Sequence, residues 1–309
     1  MASATRLTVA GSTHVLATLT RERPPLELGA AAWIRDLTML RLAGFEAVDL
    51  VDSWLPFGEM SSSQLSELRS AIDESGLVPA GISVVFRSVI DPHEGPRNLD
   101  YTMRSIEAAA LLGAPIVSIG FHRPLTAAQR ESQFWMVAGQ SDVADKSTLD
   151  LAVERVGEVS SSAADHGLAV TLELYEGALL GSPEGACRII ERVGAPNLGI
   201  NADLGNLIRA PEFHVRGWEE LLLGALPRMN YWHAKNYVRL ESPSAGIVLS
   251  YPTDLSFGVI DYRRAVQLAL DHGYRGPICI EHYEGDALGA IERGRRYIEG
   301  VMDQLEAAA

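Results

Sequence analysis

The strongest constraint on the fold is an alternation of short apolar runs with longer amphipathic stretches, repeated along the whole chain. The apolar runs read as strands at His14–Thr20, Phe45–Val51, Leu77–Val85, Pro115–Gly120, Leu168–Leu174, Asn197–Asp203, Met229–Lys235 and Pro277–His282. Helical periodicity fills the gaps at Trp33–Leu42, Ser62–Ser75, Leu99–Leu112, Leu149–Asp165, Pro183–Val193, Tyr262–Asp271 and Glu292–Glu306. Gly44, Gly76 and Gly113 follow three of these helices as stop signals. Eight strand candidates with intervening helices predict an α/β chain closed into a (β/α)8 barrel, with residues 1–309 as a single domain. A doubly wound open sheet is the alternative, but neither GxGxxG nor GxxxxGK[ST] occurs to support it. The irregular stretches 121–147 and 236–260 are expected to be long loops above the C-terminal rim, where barrel enzymes build their sites.

Composition narrows the partners. Lys and Arg total 26 against 40 Asp and Glu, a formal charge of −14, which disfavours a phosphate-backbone binder. Cys187 and Cys279 are the two cysteines, too few for a disulfide framework, and no CxxC is present. The first residues lack the basic and apolar segments of a secretory signal, and the apolar stretches are too interrupted to span a bilayer. A cytoplasmic protein that engages neither nucleic acid nor membrane is expected.

The chemical signal lies in the second half. Glu173, Asp203, His233 and Glu281 stand at or near the ends of four consecutive strands, which a barrel brings onto one rim. Any one of them alone is an ordinary cap, solvated charge or packed histidine. Together, three carboxylates and one imidazole suit a single divalent ion, manganese or magnesium, with cobalt also possible. The ion would also offset three converging negative charges. An internal echo, E-x-Y-E-G, begins at both Glu173 and Glu281. Two glutamates on opposed walls can transfer a proton between the faces of a substrate carbon while a metal stabilises the oxyanion. His122, after the fourth strand, is a further candidate for the pocket.

The segments TLELYEG, NADLGN, WHAKNYVR and ICIEHYEG resemble the xylose-isomerase-like TIM-barrel superfamily, the sugar isomerases and epimerases, over nearly the whole chain. That resemblance implies metal binding by Glu173, Asp203, His233 and Glu281, with Glu173 and Glu281 as the proton-transfer pair. It implies substrate contacts from Lys235 and from Arg239, six positions beyond the metal histidine. Asn236 replaces the aspartate of the family's H-x-K-D motif, and Asn206 replaces the histidine of D-x-x-H, so Asn206 is expected to hydrogen-bond substrate without acid–base chemistry. FGVIDY resembles the G-x-G-x-[IV]-D segment, with Asp261 as a cap or turn acid.

The expected activity is a metal-dependent sugar or keto-sugar isomerase or epimerase acting through a metal-stabilised enediolate. The alternatives are a keto-sugar lyase or eliminase, including a C-glycoside-cleaving subunit with a hetero-subunit partner, and a non-catalytic sugar-binding barrel. The expected partners are a small sugar or keto-sugar and further copies of the chain in a homo-oligomer. Weaker pocket candidates are His14, Asp49, Asp52, Arg87 and His93, with Trp54, Phe86, Trp135 and Trp232 as an apolar wall.

Overall fold

A computed structural model of the chain describes residues 6–17, 19, 23–137, 139–177, 179–211 and 217–308. Its strands are β1 (Val9–Ser12), β2 (Ala47–Val51), β3 (Val78–Val84), β4 (Ile116–Ile119), β5 (Ala169–Glu173), β6 (Leu198–Asn201), β7 (Met229–Ala234), β8 (Asn236–Ser242), β9 (Ile247–Thr253) and β10 (Ile278–Ile280). Eight of them close a barrel in the order β1-β10-β7-β6-β5-β4-β3-β2, every pair parallel. The closing seam pairs Val9 with Ile278 and Gly11 with Ile280. The α/β barrel expected from the alternation is therefore the observed fold.

Local chemistry sets the helices between the strands. Ser61 and Gln64 form a capping box at the start of the helix Ser62–Ser75, and Gly76 ends it in the left-handed region at φ 70°. The helix Pro183–Val193 begins with Ser182 as N-cap and proline in its first turn, and it ends at Gly194. These helices pack their apolar faces onto the barrel in one large core. Inside the barrel is a second, smaller cluster of Ala10, Ala47, Ala80, Ile116, Tyr231 and Cys279. Its small side chains make room for Tyr231. A Cβ at Gly81 would lie 2.6 Å from the Tyr231 hydroxyl, so the ring fits only because β3 carries glycine there.

The first expected strand is a correction. His14–Ala17 is a short helix, and the first strand is the preceding Val9–Ser12, which lacks the long apolar run that marks the others. The Ser12 hydroxyl accepts the His14 N–H and turns the chain out of the strand. Thr18 and Thr20, the end of the expected run, lie outside the described residues.

The expected loop 236–260 is also structured. β8 and β9 form an antiparallel hairpin in register from Asn236↔Thr253 to Ser242↔Ile247, turning at Gly246 with φ 64°. Buried Asn236 anchors the base of this excursion. Its amide donates to the carbonyls of Leu255 (3.1 Å) and Ile260 (2.8 Å), and its oxygen accepts the N–H groups of Tyr237 and Ile260, both at 3.0 Å. Asn236→Ala strands four buried backbone groups and is expected to cost about 2–4 kcal/mol, read by denaturant unfolding. A loss below ~0.5 kcal/mol would contradict this role.

Candidate metal centre and active site

The barrel delivers its polar residues by register. Glu173 ends β5, Asp203 follows β6 by two residues, His233 lies within β7, and Glu281 immediately follows β10. All four are buried. The Nδ1 atom of His233 lies 3.8 Å from Glu173 Oε2, 3.9 Å from Asp203 Oδ2 and 3.7 Å from Glu281 Oε1. These separations are too long for hydrogen bonds, and His233 Nδ1 is buried with no partner. They match the ~3–4 Å between neighbouring ligands of one ion bound at ~2.1 Å. The residues fit a single divalent cation on the Nδ1 side of His233.

The far side of the ring is occupied by protein. Asp49 Oδ2 stands 3.3 Å from His233 Nε2, and Asp49 itself accepts from Tyr231 (2.8 Å) and Ser83 (3.0 and 3.2 Å). The backbone N–H of His233 donates to Asn201 at 2.8 Å. A carboxylate behind a ligating imidazole fixes its tautomer and orientation, leaving the other nitrogen for the metal. Asp49, His233 and Cys279 form a second trio of metal-ligating side chains around the same histidine. Burial and the nearby Asp49 carboxylate push the Cys279 thiol well above its ordinary pKa, so it stays protonated and is a poor ligand.

Charge in the centre is tightly coupled. Lys235 Nζ reaches Glu281 Oε2 at 2.6 Å, Asp203 Oδ2 at 2.8 Å and the Tyr283 hydroxyl at 2.8 Å. Burial works against an ionised Glu281, but Lys235 and then His233 outweigh it and hold its pKa far below the usual carboxylate range. Glu173 is likewise held low, by His122 and His233 against burial. Burial lifts Asp203 to about 7 despite Lys235. His233 is raised well above its ordinary value, because Glu281 and Asp49 together overcome its burial.

The two glutamates differ in their outer oxygens. Asn206 Nδ2 donates to Glu173 Oε1 at 3.0 Å and to the Leu174 carbonyl at 3.1 Å, which fixes the amide and leaves its buried Oδ1 without a partner. His122 Nε2 lies 3.8 Å from the same Glu173 oxygen, and both its ring nitrogens are buried and unpartnered. Burial keeps this imidazole below its ordinary pKa. Aromatic rings surround the centre: His122 meets Tyr175 edge-on at 4.2 Å, and His14 meets Tyr283 at 5.0 Å. These tyrosines are the middle residues of the two E-x-Y-E-G segments, whose glycines sit at φ 137° and 56°.

Other expected residues are placed elsewhere. The Arg239 guanidinium is held by the carbonyls of Ile208, Ala210 and Pro211 and by Glu241, none of them in the quartet. Asp261 caps the helix Tyr262–Asp271. Trp54 is buried against Asp36, Trp232 stacks on Tyr262, and His93 is exposed. Asp52 accepts from the Val85 N–H at 2.9 Å and stands 3.5 Å from Arg87, with its side chain 4% exposed. Asp49 is engaged entirely inside the barrel.

Sequence reasoning missed Asn201, Tyr231 and Tyr283, although the E-x-Y-E-G repeat carried a signal for the last. It also missed Arg209, which is fully buried, bonded to both oxygens of Glu176 (2.9 and 3.0 Å) and flanked by Phe134, Trp135 and Tyr175.

Burial raises the pKa of Asp52 from 3.8 to about 7. An acid with a raised folded-state pKa is best tolerated below its unfolded value, and its contribution is lost as pH rises through the folded value. Asp52→Asn keeps the acceptor for Val85 and removes the ionisation. It is expected to stabilise the protein by up to about 4 kcal/mol at pH 8, at ~1.4 kcal/mol per pKa unit and less whatever the Arg87 contact contributes, with the gain vanishing toward pH 4. Thermal melts at the two pH values check this; a lower melting temperature at pH 8 would contradict it.

The sequence pattern described as "Xylose isomerase-like TIM barrel" matches residues 37–301. The chain belongs to that family. Within the family fold, a xylose isomerase-like TIM-barrel protein from Mycobacterium smegmatis, solved in complex with magnesium, is 35% identical. The match covers 97% of this chain and 98% of that one, with a TM-score of 0.89. D-Allulose 3-epimerase from Methylomonas sp. shares the fold at 14% identity, covering 96% of this chain and 98% of that chain, with a TM-score of 0.70. The 3-keto-D-glucoside 4-epimerase from E. coli does so at 13% identity, 96% and 100% coverage and a TM-score of 0.68. No curated protein matches the chain. Among the described residues no helix is long and apolar enough to cross a membrane.

Proposed function

We propose that the protein is a divalent-metal-dependent isomerase or epimerase of a sugar or keto-sugar, with Glu173 and Glu281 as its proton-transfer pair. The observation that carries this reading is the matched placement of the two carboxylates. Each presents one oxygen toward His233 Nδ1, at 3.8 and 3.7 Å, and has its other oxygen anchored by a different group. A divalent ion held by Glu173, Asp203, His233 and Glu281, manganese by preference, would offset the carboxylates and polarise a substrate carbonyl.

The side chains supply the remaining work. Both glutamates are held ionised, so each is a ready proton acceptor. One removes the proton from the carbon beside the carbonyl; the other takes up a proton from solvent and delivers it to the opposite face, and the first then releases its proton to solvent. Lys235 would stabilise negative charge developing on the substrate oxygen. Asn206 Oδ1 and the ring nitrogens of His122 are the free polar atoms for sugar hydroxyls. The buried, aromatic-walled setting limits water and strengthens each of these contacts.

The test is incubation of the manganese-loaded protein in D₂O with a panel of ketoses and keto-sugars. The expected result is isomer formation accompanied by carbon-bound deuterium. Turnover without deuterium at carbon would overturn the proton-transfer mechanism, and absence of both across the panel would overturn the activity.

A further inference from the structure

A cleft of about 800 Å³ opens beside the metal centre, between the segments that follow β4 and β5. None of the four proposed metal ligands lines it, so a sugar ring at the quartet would leave it unfilled. Its volume falls in the ~300–1,000 Å³ range of pockets that enclose drug-sized ligands.

The cleft abuts the centre on one side. Three chain segments place one residue in each: His122 lies by Glu173 while Phe121 lines the cleft, Asn206 bonds Glu173 while Leu207 lines it, and Glu173 is followed by Tyr175 and Glu176 in its wall. The Tyr175 ring, 4.2 Å from that of His122, is the partition. Glu281, Lys235 and Tyr283 do not line the cleft, and on that side Tyr283 meets the ring of Phe134, edge-on at 6.4 Å. A group projecting from a bound sugar past Glu173 points toward this cleft.

Its chemistry selects the occupant. Phe121, Phe134, Trp135 and Tyr175 give aromatic walls, with Leu125 and Met136 beside them. Among the described residues its lining holds a single cation, Arg123, and that is paired with Asp142; the Glu176 carboxylate is paired with Arg209. Among the described residues the lining sets three carboxylates, Asp142, Glu176 and Glu184, against that one cation, which disfavours a phosphate or carboxylate, whereas a flat, neutral ring would find apolar faces and edges.

We propose that this cleft binds a neutral aromatic or apolar substituent attached to the sugar, so that the substrate is an aryl conjugate of a keto-sugar. The proposal rests on the sugar reading above for the ring at the quartet. It makes the segment carrying Leu125, Phe134 and Trp135 the determinant of substrate size.

The test compares methyl and 4-nitrophenyl glycosides of one sugar panel, with 4-nitrophenol alone as a probe, by calorimetry on the metal-loaded protein. The variants are Leu125→Trp, which fills the cleft, and Gln140→Trp, a second filling variant in case the first disturbs folding; thermal melts check both. At least tenfold tighter binding of aryl over methyl glycosides is expected, with the preference lost in a folded filling variant and methyl-glycoside binding unchanged. Equal binding of the two glycosides, or a preference untouched in both variants, would overturn the proposal. Methyl-glycoside binding without aryl preference removes the cleft assignment and keeps the sugar reading. Binding of 4-nitrophenol that the filling variants abolish, with no glycoside bound, keeps the aromatic site and removes the sugar reading. No binding of either glycoside or of 4-nitrophenol overturns both.

Discussion

Titration of the metal-free protein with Mn²⁺ at pH 7 is expected to show one ion bound per chain, with release of at least one proton. The cause is His233. In the metal-free centre its pKa is driven well above 6.5 by Glu281 and Asp49, so a proton must leave before the ring can ligate. Asp203, lifted to about 7, contributes part of a second proton. Metal affinity should consequently rise with pH and fall on acidification, the direction dictated by raised pKa values on ligands that bind deprotonated. Calorimetry in buffers of different ionisation enthalpy counts the protons. His233→Ala should abolish stoichiometric binding. Asp49→Asn, which alters the group behind the imidazole, should weaken it about 10–100-fold. Unchanged affinity in His233→Ala would exclude the quartet.

The second large effect concerns turnover. Glu173→Gln and Glu281→Gln preserve shape but remove a proton acceptor. Each is expected to lower kcat about 10²–10⁴-fold, the usual contribution of a positioned general acid or base. The two should differ in their side effects. Glu281→Gln removes an anionic partner of Lys235 and disturbs the charge balance at Asp203. Glu173→Gln leaves that pair intact and perturbs Asn206 and His122 instead. Steady-state kinetics with metal content measured in parallel separates lost chemistry from lost metal. Activity within a factor of two of the parent in both variants would eliminate the paired-glutamate mechanism.

The barrel was legible because its signal is repetitive. Three helices, Ser62–Ser75, Pro183–Val193 and Tyr262–Asp271, have the limits read from their periodicity and flanking caps. The first strand was not legible, because Val9-Ala-Gly-Ser is short and small while the neighbouring His14–Ala17 run is more apolar. The hairpin Asn236–Thr253 was hidden by its position after a barrel strand, where irregular loops are the ordinary expectation.

The candidate site divides the same way. Glu173, Asp203, His233 and Glu281 were visible because each recurs at a strand end, and the structure gathers all four. Arg239 answers to the resemblance alone, and the fold instead gives its guanidinium to the carbonyls of Ile208, Ala210 and Pro211. Asp49, Ser83 and Tyr231 support His233 from three different strands. Such a network has no sequence spacing, because the barrel and not the chain makes its residues neighbours.

The central claim is that one ion sits on the Nδ1 side of His233. The direct measurement is an anomalous-scattering map at the manganese edge from crystals of the metal-loaded protein. The account predicts a single peak within ligand distance of Glu173, Asp203, His233 Nδ1 and Glu281. A peak between Asp49, His233 Nε2 and Cys279, or no peak at saturating manganese, would contradict it.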